Sequence, residues 1–232
     1  MNILSIENAK TSKGERLGYL TGIIYMLPDN RTCPLASKAG CLQACLVHAG
    51  YASIYKSVNE SRLARRELFY NQRDLFFKQL DKEIKSFLRK ADREKMIPVI
   101  RLNGTSDIIY ENIPYLGYKN IFEAYPNLQF YDYTKIAARL SRDLPSNYDL
   151  TFSYSGTSSY RDSVNKALKS KNRIAVVFKN GFPKEYMGRK VIDGDNTDLR
   201  FLDSDNVIVG LKAKGPAKTS NSDFIVDTLG IQ

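Results

Sequence analysis

All three cysteines of the chain fall within thirteen residues, spaced Cys33-x7-Cys41-x3-Cys45, and the single histidine, His48, follows the last of them by three. Cys41 and Cys45 are four residues apart, so one turn of helix would put both sulfurs on the same face. Cys33 stands in a loop with Pro34 and Gly40 that can fold back toward them. Three chemistries compete for this cluster. The plainest is three small buried residues, since unpaired cysteine is among the most buried residue types. A second is structural zinc on Cys33, Cys41, Cys45 and His48, a legitimate Cys3His set whose spacing departs from the common paired patterns. The third is an iron–sulfur cluster on Cys33, Cys41 and Cys45, leaving one iron open to a ligand. Thiol spacing alone does not choose between zinc and iron.

The elements that would position this loop can be read from hydrophobic patterning. Gly18 to Leu27 is rich in β-branched and aromatic residues and ends at Pro28-Asp29-Asn30, so it is expected to be a strand with the cysteine loop at its C-terminal end. Val58 to Arg93 carries apolar residues at helical spacing with no Gly or Pro inside, and Asn71-Gln72 is the expected break. Further strands are expected at Ile97 to Leu102, Leu128 to Tyr133, Tyr148 to Tyr154, Arg173 to Phe178, Val191-Ile192 and Val207 to Leu211, with a short helix from Ser163 to Ser170. About seven strands separated by helices or long connections predict an α/β fold, a partial (βα) barrel of mainly parallel strands. The chain reads as one domain over 1–232, with an irregular N-terminal segment over 1–17 and a basic tail over 212–232.

Polar residues collect after these strands. Asn103, Gly104, Thr105, Ser106 and Asp107 follow one, Asp132 and Lys135 the next, Ser153 and Ser155 the third, and Asp193, Asp195 and Asp198 a later one. Turn chemistry accounts for any one group alone. Their repeated placement after strands suggests a common mouth beside the cysteines, with Gly104 allowing close backbone approach and Asp107 accepting a hydrogen bond from an ammonium group. One histidine, lodged in the cysteine loop, leaves little room for a Ser–His–Asp triad.

With 43% hydrophobic and 26% charged residues the composition is that of an ordinary globular protein. There is no run of eighteen apolar residues and no signal-peptide layout, so no membrane partner and a cytoplasmic location are expected. The odd cysteine count then argues for reduced thiols. A formal charge of +10 favours polyanionic partners such as nucleic acid. Its carriers are Arg62, Arg65, Arg66 and Arg73 on the long helical stretch and Lys212, Lys214 and Lys218 near the tail; a solvated basic surface is the alternative.

Taken together, these residues resemble the radical S-adenosylmethionine enzymes. The cysteine loop after a first strand resembles their Cys-x3-Cys-x2-Cys cluster loop with the widened first gap of some phage-encoded members. Asn103 to Ile108 resembles their Gly-Ser-Met-Ser-Asp segment, and Phe130 to Lys135 their Phe-x-x-x-Thr-Lys strand end. Asp149 to Ser153 and Val207 to Gly210 resemble a following and a late strand, so the likeness runs in order over about 18 to 215. The resemblance implies a 4Fe-4S cluster on Cys33, Cys41 and Cys45, with S-adenosylmethionine chelating the unique iron. It places Asn103 to Asp107 at the methionine amino group and Ser153 at the ribose or carboxylate, with Lys135 in the same cofactor-binding set. The expected function is a radical S-adenosylmethionine-type reaction on a nucleic acid or nucleotide during phage infection, in the host cytoplasm. The alternative is a basic nucleic-acid-binding phage replication protein with a structural zinc site.

Overall fold

In the computed structural model, which describes residues 1–6, 11–41 and 55–229, the chain forms one large mixed sheet. The elements in order are β1 (Leu4–Ser5), α1 (Thr11–Glu15), β2 (Tyr19–Ile24), α2 (Lys56–Asn71), α3 (Arg73–Glu94), β3 (Ile97–Arg101), α4 (Ile121–Ala124), β4 (Gln129–Thr134) and β5 (Tyr148–Ser153). They continue with α5 (Arg161–Lys169), β6 (Ile174–Lys179), β7 (Glu185–Tyr186), β8 (Arg189–Asp193), β9 (Ile208–Lys212) and β10 (Ile225–Asp227). The sheet has ten strands in the order β1-β2-β3-β4-β5-β6-β9-β8-β7, with β10 paired to β6 outside that path.

This overturns the expected partial (βα) barrel of mainly parallel strands. The sheet is mixed: β1 pairs antiparallel with β2 and β7 with β8, so both margins are antiparallel, while the strands between pair in parallel. A barrel also needs a covering helix after each strand. Here β4 and β5 are joined through a single 3-10 turn, Ala137–Ser141, and β3 and β4 through another and the four-residue α4. Strand count and spacing carried no information about curvature or closure.

Helices cover one face. Phe76, Phe77, Leu80, Ile84, Phe87 and Ala91 of α3, with Phe69 of α2, pack on Leu20, Ile24, Ile100, Phe130 and Leu150. Val164 and Ala167 of α5 extend that layer over Phe152, Ile174 and Ile208. Alternation along β4 sends Phe130, Asp132 and Thr134 to this face and Tyr131 and Tyr133 to the other. There Tyr131 and Val99 meet Leu199 and Phe201 from a 3-10 turn, Arg200–Leu202, which is pinned to β3 by the 2.8 Å Arg101–Asp198 ion pair. The long helical stretch breaks at Gln72, whose non-helical backbone (φ −142°, ψ 57°) ends α2 and starts α3. Among the described residues no helix is long and apolar enough to cross a membrane.

The described part of the N-terminal segment over 1–17 carries the two-residue β1 and five-residue α1, elements too short to leave a periodic signal. Within the basic tail over 212–232, Ile225–Asp227 joins the sheet against Val177, Phe178 and Lys179. At the sheet margin, Glu83 of α3 accepts hydrogen bonds from the backbone amides of Ile3 (2.9 Å) and Leu4 (2.7 Å).

Candidate functional site

The described part of the cysteine loop, up to Cys41, lies across the C-terminal ends of the central strands. It starts with an Asx turn, in which the Asp29 carboxylate accepts from the amides of Arg31 and Thr32, both at 2.9 Å. The Thr32 carbonyl then accepts from the Asp107 amide (2.7 Å), and Thr105 Oγ1 donates to the Met26 carbonyl (2.6 Å). Cys33 is thereby held against the segment after β3, its Sγ 3.7 Å from the Thr105 carbonyl oxygen. At the other end, Gly40 turns with φ +63°, and Cys41 Sγ lies 3.6 Å from the Ala36 carbonyl. Ser155, just past β5, donates to the Ala39 carbonyl at 2.7 Å. The loop therefore runs from the β2–β3 edge, where Cys33 sits, to the β5 edge beside Cys41. Both cysteines are half-buried, and neither is in a disulfide among the described residues. Cys45 and His48 lie outside the described residues. Among those described, no group of three His, Cys, Asp or Glu side chains is placed to hold a metal.

The segment after β3 is built for its own folding. Asn103 donates from Nδ2 to the Ile108 carbonyl (3.0 Å), and its Oδ1 accepts from Ser106 Oγ and the Ile108 amide, both at 2.8 Å. Gly104 is needed for close approach to β2. A Cβ there would meet Ile23 Cγ2 at 2.6 Å and the Ile24 carbonyl at 2.7 Å. Asp107 is likewise committed, with Oδ2 accepting from the Lys135 amide (2.7 Å) and Oδ1 pairing with Arg139 Nη1 (2.9 Å). Burial raises its carboxyl pKa even though Arg139 works the other way. Each oxygen of the Asp107 carboxylate thus already accepts one hydrogen bond from the protein.

Arg139 is the hub. Wholly buried, it also holds both oxygens of Glu111 at 2.8 Å and donates to Tyr148 Oη at 3.0 Å. Burial opposes its charge, yet Tyr148, Glu111 and Asp107 raise its pKa and keep it a cation. Tyr148 donates in turn to Asp132, which also accepts from the Asn103 amide (2.7 Å) and Nδ2 (3.1 Å). Burial pushes the Asp132 carboxyl up to about 7 against these donors and Arg101. Arg139, Glu111 and Tyr148 were not among the expected site residues. The one hint for Arg139 is its place in the Ala137-Ala138-Arg139-Leu140 run, an apolar setting for a cation.

Lys135 and Ser153 do come together, with Lys135 Nζ 2.9 Å from Ser153 Oγ. The ammonium lies 4.5 Å from the centre of the Phe224 ring and 6.0 Å from that of Tyr160. The basic residues behind the polyanion reading are largely occupied. Arg65 donates to the Asn2 and Tyr25 carbonyls, Arg66 pairs with Asp29 and Glu67, Arg73 lies over the Phe69 ring, and Lys214 pairs with Asp195.

A protein-family model described as gene product 88 matches residues 2–228. No curated protein matches the chain, and no solved structure does.

Proposed function

The chain belongs to the gene product 88 family, a phage-type family, and from that premise we propose that it is an iron–sulfur protein of the radical S-adenosylmethionine type, ligated by Cys33, Cys41 and Cys45. The observation that carries this reading is the seat of Cys33, 3.7 Å from the Thr105 carbonyl where the loop crosses the ends of β2 and β3. Donor chemistry supports it: two half-buried cysteines, with a third four positions after Cys41, are the sulfur donors that suit a soft metal centre. When bound, such a cluster supplies the electron for reductive cleavage of S-adenosylmethionine. The chain's own residues then have two tasks. The three cysteines ligate as thiolates, so they must give up their protons. Recognition of the methionine carboxylate falls to Lys135 and Ser153, whose ammonium and hydroxyl suit an anionic oxygen. A nucleic acid is the substrate class that the +10 charge favours.

Anaerobic purification with iron, sulfide and zinc analysis tests the centre. Iron and sulfide are expected in the wild type and lost in Cys33→Ala and Cys45→Ala. Stoichiometric zinc without iron, released by His48→Ala, would establish the zinc alternative instead. An intact cluster with no calorimetric response to S-adenosylmethionine would leave the iron–sulfur protein standing and remove the enzyme.

A further inference from the structure

Strand β6 shares one margin between two partners. Strand β5 pairs with it only at Ile174 and Ala175, and the Tyr154 amide makes one more bond to the Ala175 carbonyl before β5 turns away. Farther along, Val177, Phe178 and Lys179 pair with Ile225, Val226 and Asp227 of β10, while β9 holds the opposite margin of β6. The sheet therefore opens a crevice between the C-terminal ends of β5 and β6, and the last described segment fills it.

We infer that residues 219–229 form a displaceable strap that closes this crevice over Lys135. Its contacts are mostly polar, and include Asn180 Nδ2 donating to Asp227 (2.8 Å) and Thr228 Oγ1 donating to the Lys179 carbonyl (2.7 Å). Ser222 Oγ donates to the Gly40 carbonyl in the cysteine loop (2.9 Å), and the Asp223 carbonyl accepts from the Gly156 amide (2.8 Å). Phe224 lays its ring 4.5 Å from the Lys135 ammonium. The apolar anchor is Ile225 with Ala213 and Ala217, flanked by Val177 and Phe224, together with Val226 packed on the cluster around Phe178. Strand β10 has three residues and pairs with β6 alone, while Asn221, Asp223 and Asp227 are exposed. A three-residue strand held mainly by polar ties beside exposed residues opens at less than the global unfolding cost. It touches the cysteine loop, the loop after β5 and Lys135 at once. Its opening is the step that bares Lys135 and Ser153 to a ligand, whatever metal the cysteines hold.

Hydrogen exchange read by mass spectrometry should show the amides of 225–227 exchanging well before those in the β6–β9 ladder. Two variants unseat the strap without touching Lys135: Gly156→Ala, whose Cβ would fall 2.8 Å from the Asp223 carbonyl, and Ser222→Ala, which deletes the tie to Gly40. Each should speed acetylation of Lys135 by an N-hydroxysuccinimide ester about tenfold, with Lys85, 61% exposed, as internal control. Circular dichroism must show each variant folded. Exchange of 225–227 in step with the β6–β9 ladder would overturn the strap, as would unchanged Lys135 labelling in a folded variant. Failure of both variants to fold would also overturn it, by making the segment integral to the core.

Discussion

Replacing Arg139 with Met removes a cation while keeping most of its volume. The side chain holds Asp107 Oδ1 at 2.9 Å and both oxygens of Glu111 at 2.8 Å, and the two carboxylates are only 9% and 8% exposed. Taking one partner from a buried ion pair costs about 3–5 kcal/mol, mostly the penalty of the charge left behind. Two carboxylates are stranded here, although Asp107 keeps the Lys135 amide at 2.7 Å, so about 4–5 kcal/mol is expected. That is a large part of the about 5–15 kcal/mol that holds a typical domain together. The loss should also depend on pH. Burial already raises the Asp107 carboxyl pKa, and without Arg139 it rises further. A carboxyl raised in the folded state binds protons that the unfolded chain has released, so stability falls as pH rises through the folded value. Urea unfolding of wild type and Arg139→Met at about pH 5 and about pH 8 should therefore show the larger deficit at the higher pH. Adding Asp107→Asn should recover part of it there. A deficit below about 1 kcal/mol, or one equal at both pH values, would refute the assignment of Arg139 as the neutralising hub.

Two further outcomes follow from the same region. Asp132, raised from 3.8 to about 7 by burial, should make the wild type lose stability between about pH 4 and pH 7; at about 1.4 kcal/mol per pH unit the loss is bounded near 4 kcal/mol. Asp132→Asn should flatten that slope in denaturant titrations, and a slope unchanged by the substitution would assign the pH dependence to another group. Gly104→Ala should lower the midpoint of thermal unfolding by an amount equivalent to about 2 kcal/mol or more, because the new Cβ meets a strand carbonyl at 2.7 Å that cannot swing aside. A midpoint equal to the wild type's would mean that the end of β2 yields.

The central strands were legible because they are runs of Val, Ile, Phe and Tyr closed by turn residues, as in Ile174–Lys179 after Asn172 and Arg173. The break at Gln72 was legible as a polar pair inside an apolar repeat. Strands β1, β7 and β10 were not, since two or three residues cannot display a period and Glu185–Tyr186 pairs only because the chain doubles back at Met187-Gly188, both with positive φ. The barrel was misread because closure depends on how connections cover the sheet, and the stretch from Lys135 to Asn147 forms only a short 3-10 turn. At the site, the turn after β3 could be found from its own residues. What those residues bind could not, for the partner of Asp107 lies 32 positions onward and an ion pair across that distance leaves no pattern.

The carboxylate of Glu83 at the first margin of the sheet bears on how the molecule behaves among copies of itself. Unpaired amides along a sheet border invite a neighbouring chain to add a strand. Here the amides of Ile3 and Leu4 are already bonded to an anionic side chain, which would also repel an approaching peptide carbonyl. The opposite border ends in β7, two residues long, too short to template an extended partner. Among the described residues both borders of the sheet are thereby poor templates for an added strand.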